Sequence, residues 1–350
     1  MAGEENMTVN CTGENCQRCY DMGIYQPDEP VTPAALLIFA VLHCYIIFVL
    51  GTLCNGVAVW CVVKCPKTKP AAKVLLCSVF VPILVLCLVS KPALAEMLMA
   101  ILTCDENRTP KTFRVVTSLL YSGLAQMELL SISALSVVRA VAVRSARRHI
   151  LKLKTALLLV VIITFCSLLM AVGLLGSLTL GYLEGHQVRR GTSLLYFFLK
   201  TMLPFLITAV SYSFMMLVIY RNKRQMARSE QPTRGHSAVD QATCAMLAVF
   251  ISNLLFGLPH AIFHLLDKPS HTADIIFHVL FYTHFIADPV VFVWCNRSYR
   301  RRVGERMHAG VAWMTHWCST TKSLATTTSL DNNISASSIA SIERIFQEHD

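Results

Sequence analysis

Seven separate stretches of this chain are each long and apolar enough to cross a lipid bilayer, which constrains the fold more than any motif does. They cover approximately residues 34–63, 72–100, 113–143, 153–182, 193–221, 240–266 and 273–296. A hydrocarbon core of about 30 Å needs roughly 20 apolar helical residues. Helix is the expected form, because backbone groups in lipid must be satisfied within their own segment. The expected fold class is therefore an all-α membrane protein, a seven-transmembrane helix bundle. Composition agrees, with 54% of the 350 residues hydrophobic and only 15% charged, against about a quarter charged in soluble domains. The fourth stretch (Ala156 to Leu180) is almost purely apolar. The third and seventh are less so and are expected to face a polar bundle interior.

The formal charge of +10, from 31 basic and 21 acidic residues, is distributed as a topology code rather than as one basic face, so no nucleic-acid partner is expected. Lys64, Lys67, Lys69 and Lys73 follow span one, and Arg144, Arg147, Arg148, Lys152 and Lys154 follow span three. Arg221, Lys223, Arg224, Arg228 and Arg234 follow span five, and Arg297, Arg300, Arg301, Arg302 and Arg306 follow span seven. The alternate loops are much poorer in Lys and Arg. This asymmetry predicts an extracellular N-terminus and a cytoplasmic C-terminus, in a multi-pass protein of the plasma membrane. The sequons at Asn6, Asn10 and Asn107 fall on the outer side and are candidate glycosylation sites; the one at Asn333 falls inside. Residues 1–33 lack a basic n-region leading into a short apolar stretch, so span one is expected to serve as a signal anchor.

Of the 14 cysteines, ten lie in or beside apolar segments or on the basic side, where packing is their usual role. Cys11, Cys16, Cys19 and Cys104 lie on the outer side, where disulfides form. Cys16 and Cys19 make a Cys-x-x-Cys with no second ligand pair, so neither a bound metal nor another cofactor is expected from them.

Residues at ordered places in five spans carry a family resemblance. Span one has Gly51-Thr-Leu-Cys-Asn55-Gly, and span three ends in Val138-Arg139-Ala140. Span five has Leu203-Pro204 followed by Tyr212, span six has Phe256-Gly257-Leu258-Pro259, and span seven has Asp288-Pro289-Val-Val-Phe292. Together they resemble the Gly-Asn, Asp-Arg-Tyr, Pro/Tyr, Cys-Trp-x-Pro and Asn-Pro-x-x-Tyr motifs of rhodopsin-like G-protein-coupled receptors. The resemblance covers roughly residues 34–314. It implies a receptor that passes an extracellular ligand signal to a heterotrimeric G protein, with Arg139, Tyr212, Asp288, Pro289 and Phe292 in the coupling machinery.

The departures matter as much. Pro82 stands where the family has its helix-two acid, Val138 and Ala140 flank Arg139, and Gly257 occupies the aromatic switch position. The family's cysteine at the outer end of helix three falls near Arg114, and the second outer loop (roughly 183–192) has none. The resemblance therefore leaves Cys104, paired with Cys11, Cys16 or Cys19, as the available outer disulfide. With Val138 unable to hold Arg139, raised basal signalling is expected; the plainer alternative is that Arg139 only snorkels.

Glu128 lies eleven residues before Arg139, about three helical turns. An intramembrane acid is a functional candidate by default. Pro82 and Glu128 together look like the family's sodium-site carboxylate moved to helix three, with His284, Asp288 and Asn55 to complete a polar cluster; a hydrogen-bond network without an ion is the alternative. Lys91, Arg114, Lys200, Gly257, His260 and His264 are expected to line a ligand cavity. They suit an anionic group, either of a lipid or of an acidic peptide, although Lys91 and Arg114 can instead reach lipid headgroups. Asn55-Gly-Val-Ala-Val-Trp60, Ala134-Leu-Ser-Val and Leu203-Pro-Phe-Leu are similar to leukotriene B4 and other chemoattractant receptors. Val138-Arg139 and Ala95-Glu-Met-Leu-Met resemble chemokine-receptor-like proteins of gammaherpesviruses.

Beyond span seven, residues 298–317 alternate arginines with Tyr299, Val303, Met307 and Val311, the pattern of an amphipathic eighth helix at the membrane surface. Cys318 is a palmitoylation candidate. The Ser/Thr-rich segment 318–350 is expected to be a disordered tail, which in this family is phosphorylated by receptor kinases and bound by arrestin. The chain divides accordingly into an outer N-terminus (1–33), the bundle (34–297), the eighth helix and the tail.

Other classes fit less well. A retinal Schiff base needs a span-seven lysine, and residues 273–296 contain none. No Gly-x-Ser-x-Gly nucleophile appears, so an enzyme is not expected, and no internal repeat suggests a transporter. A signalling-poor decoy or scaffold receptor is the stronger rival.

Overall fold

The computed structural model describes residues 33–66, 68–103, 105–144, 151–183, 194–195, 197–226, 237–264, 271–309 and 312. The chain divides into two units, Met1–Arg297 and Ser298–Asp350. In the first unit, all regular structure among the described residues is helical. Seven helices are long and apolar enough to cross a membrane. They are α1 (Ala34–Lys64), α2 (Pro70–Thr103), α3 (Lys111–Arg144), α4 (Leu153–Leu183), α5 (Phe198–Arg221, continuing to Met226), α6 (Ser237–Phe263) and α7. The last is two helices, His271–Tyr282 and His284–Cys295, meeting at Thr283. The apolar run of α4 is the most hydropathic of the seven, and those of α3 and α7 are the least.

That ranking has a direct structural counterpart. On α4, Leu157, Leu158, Val161, Ile162, Phe165 and Leu169 are exposed at helical spacing. Such a stripe suits contact with lipid tails. On α3 the buried positions are instead mostly small or polar, including Ser122, Gln126, Glu128, Ser131, Ser133 and Ser136, with Ile132 and Leu135 the large apolar exceptions. α3 packs against α2, α4 and α5, while α6 packs on α7 and α7 on α1. The least apolar helix is thus packed against three others.

Prolines shape the interior. A proline removes one helical hydrogen bond and displaces the carbonyl four residues earlier. Pro289 does this to Phe285, whose carbonyl accepts a 2.8 Å hydrogen bond from Asn55 Nδ2. Widened π-helical turns occur in α1 (Ile47–Gly51), in α2 just after Pro82 (Leu86–Ser90) and in α5 just before Pro204 (Phe198–Met202). The first two meet where α1 crosses α2. A Cβ on Gly51 would lie 2.6 Å from Cys87 Sγ, so this approach requires the bare glycine backbone.

At one end of the bundle, the 3₁₀ turn Glu106–Arg108 is capped by the Asp105 carboxylate. Arg108 pairs with Glu96 at 2.8 Å. That hydrogen bond raises the pKa of an already strongly basic guanidinium. In the second unit, residues 298–309 are helical and carry an exposed Arg301–Glu305 pair at 3.3 Å, one turn apart.

Candidate functional site

The polar layer at the centre of the bundle is built from α3, α6 and α7. Glu128, His284 and Asp288 are all buried, at 2%, 1% and 0% exposure. His284 Nε2 lies 3.7 Å from Glu128 Oε2, an electrostatic contact just beyond hydrogen-bond length. The other ring nitrogen, Nδ1, meets the Phe281 carbonyl one turn back, which sets the ring's orientation and points Nε2 at the acid. Asp288 Oδ2 accepts a 2.5 Å hydrogen bond from Asn253 Nδ2 on α6. One ligand atom from each of Glu128, His284 and Asp288 lies within 4.8 Å of the others.

Glu128 Oε1 and Asp288 Oδ1 are buried without a hydrogen-bond partner among the described residues. An unsatisfied buried carboxylate oxygen is costly. Two buried carboxylates beside an imidazole form a donor set suited to a small cation. Asn55 borders this layer from α1 through its bond to Phe285, the residue after His284. Its amide is committed to the carbonyls of Gly51 and Phe285, both at 2.8 Å. The amide that reaches Asp288 is Asn253, which the sequence motifs did not single out; only its polarity within an apolar span hinted at it.

The two lysines have different surroundings. Lys91 is fully buried and does not reach a headgroup. Its Nζ sits 2.8 Å from the centroid of the Tyr282 ring, with Phe285 at 4.8 Å and Tyr121 at 5.4 Å. Among the described residues no hydrogen-bond acceptor meets this ammonium, so aromatic faces are its principal support there. Lys200 belongs to the widened turn before Pro204, and its Nζ donates to Ser122 Oγ at 3.0 Å. The two ammoniums therefore address neighbouring α3 residues, Tyr121 and Ser122. Arg114 is half-buried in the first turn of α3. The tyrosine cage of Lys91 was not legible as such, because its three rings come from two helices.

An aromatic train fills the place left by Gly257. A Cβ on this buried glycine would lie 3.5 Å from Phe205 and 3.7 Å from Phe281. Phe205 continues to Phe250, and Phe250 stacks on Tyr212 with ring centroids 5.6 Å apart. Phe281 stacks on His260 at 4.3 Å and touches His284 at 4.5 Å. The family-like aromatic is missing, but α5 and α7 supply rings on either side of the gap. Lower in the bundle, Phe292 packs on Phe80 at 4.6 Å. Tyr212 is buried, and Arg139 is half-buried near the end of α3. Asn107 is exposed in its 3₁₀ turn. Asn6, Asn10, Cys11, Cys16, Cys19, Cys104 and Cys318 lie outside the described residues.

A seven-helix membrane bundle with a polar layer spanning α3, α6 and α7 is the class of protein these observations define. Among solved structures, the chain is similar to squid rhodopsin, with a TM-score of 0.67 and 15% sequence identity over 82% of this chain and 92% of that one. It has the rhodopsin fold. No family sequence model matches the chain, and no curated protein matches it either.

Proposed function

We propose that the chain is a rhodopsin-like G-protein-coupled receptor of the plasma membrane, with its N-terminus outside, rather than an enzyme. The single observation that carries this reading is the polar layer joining α3, α6 and α7 through Glu128, His284, Asp288 and Asn253. Such a layer couples three helices through groups whose contacts can exchange, which a two-state transducer requires. The rhodopsin-like fold supports it over 82% of the chain.

Within that reading, Arg139 contacts the G protein, and its neighbour Val138 lacks the charge to restrain it, so basal activity is raised. Tyr212, Pro289 and Phe292 transmit the helix movement. Sodium bound by Glu128 and Asp288 opposes it. The ligand carries an anionic group, on a lipid or peptide, and meets the region of Lys91 and Lys200. Kinases and arrestin act on the tail, and Cys318 is acylated. The test is nucleotide exchange on purified heterotrimeric G proteins by the reconstituted protein. Exchange above that of empty vesicles, lost in Arg139→Ala, is the expected result. Exchange equal to empty vesicles with every G protein would leave the decoy or scaffold reading.

A further inference from the structure

A second cluster, two helical turns from the polar layer, has different chemistry. His260 and His264 lie one turn apart at the end of α6, and their Nε2 atoms are 3.0 Å apart. His278 on α7 closes the group, with ring centroids 4.5 Å from His260 and 5.1 Å from His264. One ring nitrogen from each of the three lies within 4.8 Å of the others. His264 is exposed and the other two are partly exposed.

Two features make this more than a chance grouping. His278 Nδ1 is 2.8 Å from the Asp274 carbonyl and 3.3 Å from the Asp274 carboxylate. Both are acceptors, so the proton belongs on Nδ1 and the lone pair on Nε2. A carboxylate behind the far nitrogen of an imidazole is the usual support of a metal-binding histidine. His260, in turn, is held by its stack on Phe281, 11° from parallel. Two of the three ligands are therefore oriented before any ion arrives.

We propose that His260, His264 and His278 form a site for a divalent transition-metal ion, with Zn²⁺ the best match. Three neutral imidazoles offer nitrogen donors to a borderline-soft ion and leave a fourth tetrahedral position for water or a ligand. At Zn–N bonds of about 2.0–2.1 Å, tetrahedral geometry sets the nitrogens about 3.3–3.4 Å apart. The exposed His264 ring is free to make that adjustment. The ion replaces the His260–His264 hydrogen bond and fastens the end of α6 to α7, stabilising this arrangement of the two helices by mass action.

The test uses the full-length protein in detergent, titrated with ZnCl₂ and, for spectroscopy, CoCl₂. Because the chain holds 12 histidines and 14 cysteines, parent and variants are compared rather than read alone. Zinc is expected to raise the melting temperature of the parent reversibly with chelator, and Co²⁺ to give an intense tetrahedral visible spectrum without a thiolate charge-transfer band. His264→Ala and His278→Ala each lower the affinity at least 100-fold, and Asp274→Asn lowers it about tenfold, within the range for outer supports of metal ligands. His264→Cys restores binding and adds the thiolate band. Zinc affinity unchanged in His264→Ala and His278→Ala, or a Co²⁺ spectrum that is weak and octahedral, would overturn the proposal. Failure of His264→Cys to exceed His264→Ala would do the same. None of these readings depends on signalling. A fall in G-protein exchange on adding zinc is a further expectation that rests on the receptor reading above.

Discussion

The two clusters that meet α7 contrast in almost every physical respect. Glu128, His284 and Asp288 are sealed from solvent, mix acids with one imidazole, and join α7 to α3 and α6. His260, His264 and His278 lie partly open and contain only imidazoles, with the Asp274 carboxylate held behind one of them. In the first, each group is indispensable to its neighbours, since a buried charge without its partner is strongly destabilising. In the second, solvent can replace a missing partner. One helix thus carries a cluster that acts through its internal balance and another that can wait for an external ion.

The sharpest way to break the contrast is to remove one imidazole from each cluster without metal present. His284→Ala leaves two carboxylates facing each other and should cost about 3–5 kcal/mol, seen as a large fall in melting temperature in detergent. His264→Ala should lie within about 0.5 kcal/mol of the parent. Equal losses would show the two clusters to be alike in kind.

Gly257→Trp probes the train between them. The indole must displace Phe205 and Phe281, at an expected cost of about 1–3 kcal/mol, and the same melting assay should show a clear drop. Gly257→Ala, whose Cβ meets only ordinary contacts, should stay close to the parent. A tryptophan variant as stable as the parent would mean that the gap is larger than the ring contacts indicate.

Asn55→Ala tests whether the sealed layer depends on the proline beneath it. Loss of the amide leaves the Phe285 carbonyl without this donor, at about 1–3 kcal/mol. The α7 backbone near Pro289 should then exchange its amide hydrogens faster than in the parent. Smallest of all, Leu169→Ala on the lipid face of α4 should change stability by less than about 0.5 kcal/mol, because lipid replaces the lost contacts.

Much of this molecule was legible before any coordinates. Seven apolar runs predicted seven helices, and the scarcity of apolar residues in the third and seventh placed those helices inward. Glu128, His284 and Asp288 could be grouped from sequence because intramembrane ionisable residues are few and their helical spacing puts them at similar depth. Asn55 has a partner that its sequence position does not reveal, for an equally physical reason. Composition marks it as polar and buried, but only the geometry of α7 shows that Pro289 leaves a carbonyl for it to satisfy. Sequence alone admits Lys91 either at a ligand cavity or at lipid headgroups, and its burial among Tyr121, Tyr282 and Phe285 depends on how α2 turns after the widened segment beyond Pro82.

Sequence by itself determined what each span could not avoid: helix, because lipid offers the backbone no partner, and an inward face wherever a charge would otherwise meet hydrocarbon. Tertiary structure decided which groups meet. The His260–His264 pair is visible as a one-turn spacing, but His278 reaches it only because α6 and α7 pack side by side. Partner choice across helices is set by crossing geometry and proline-induced turns, and these are properties of the assembled bundle rather than of any single span.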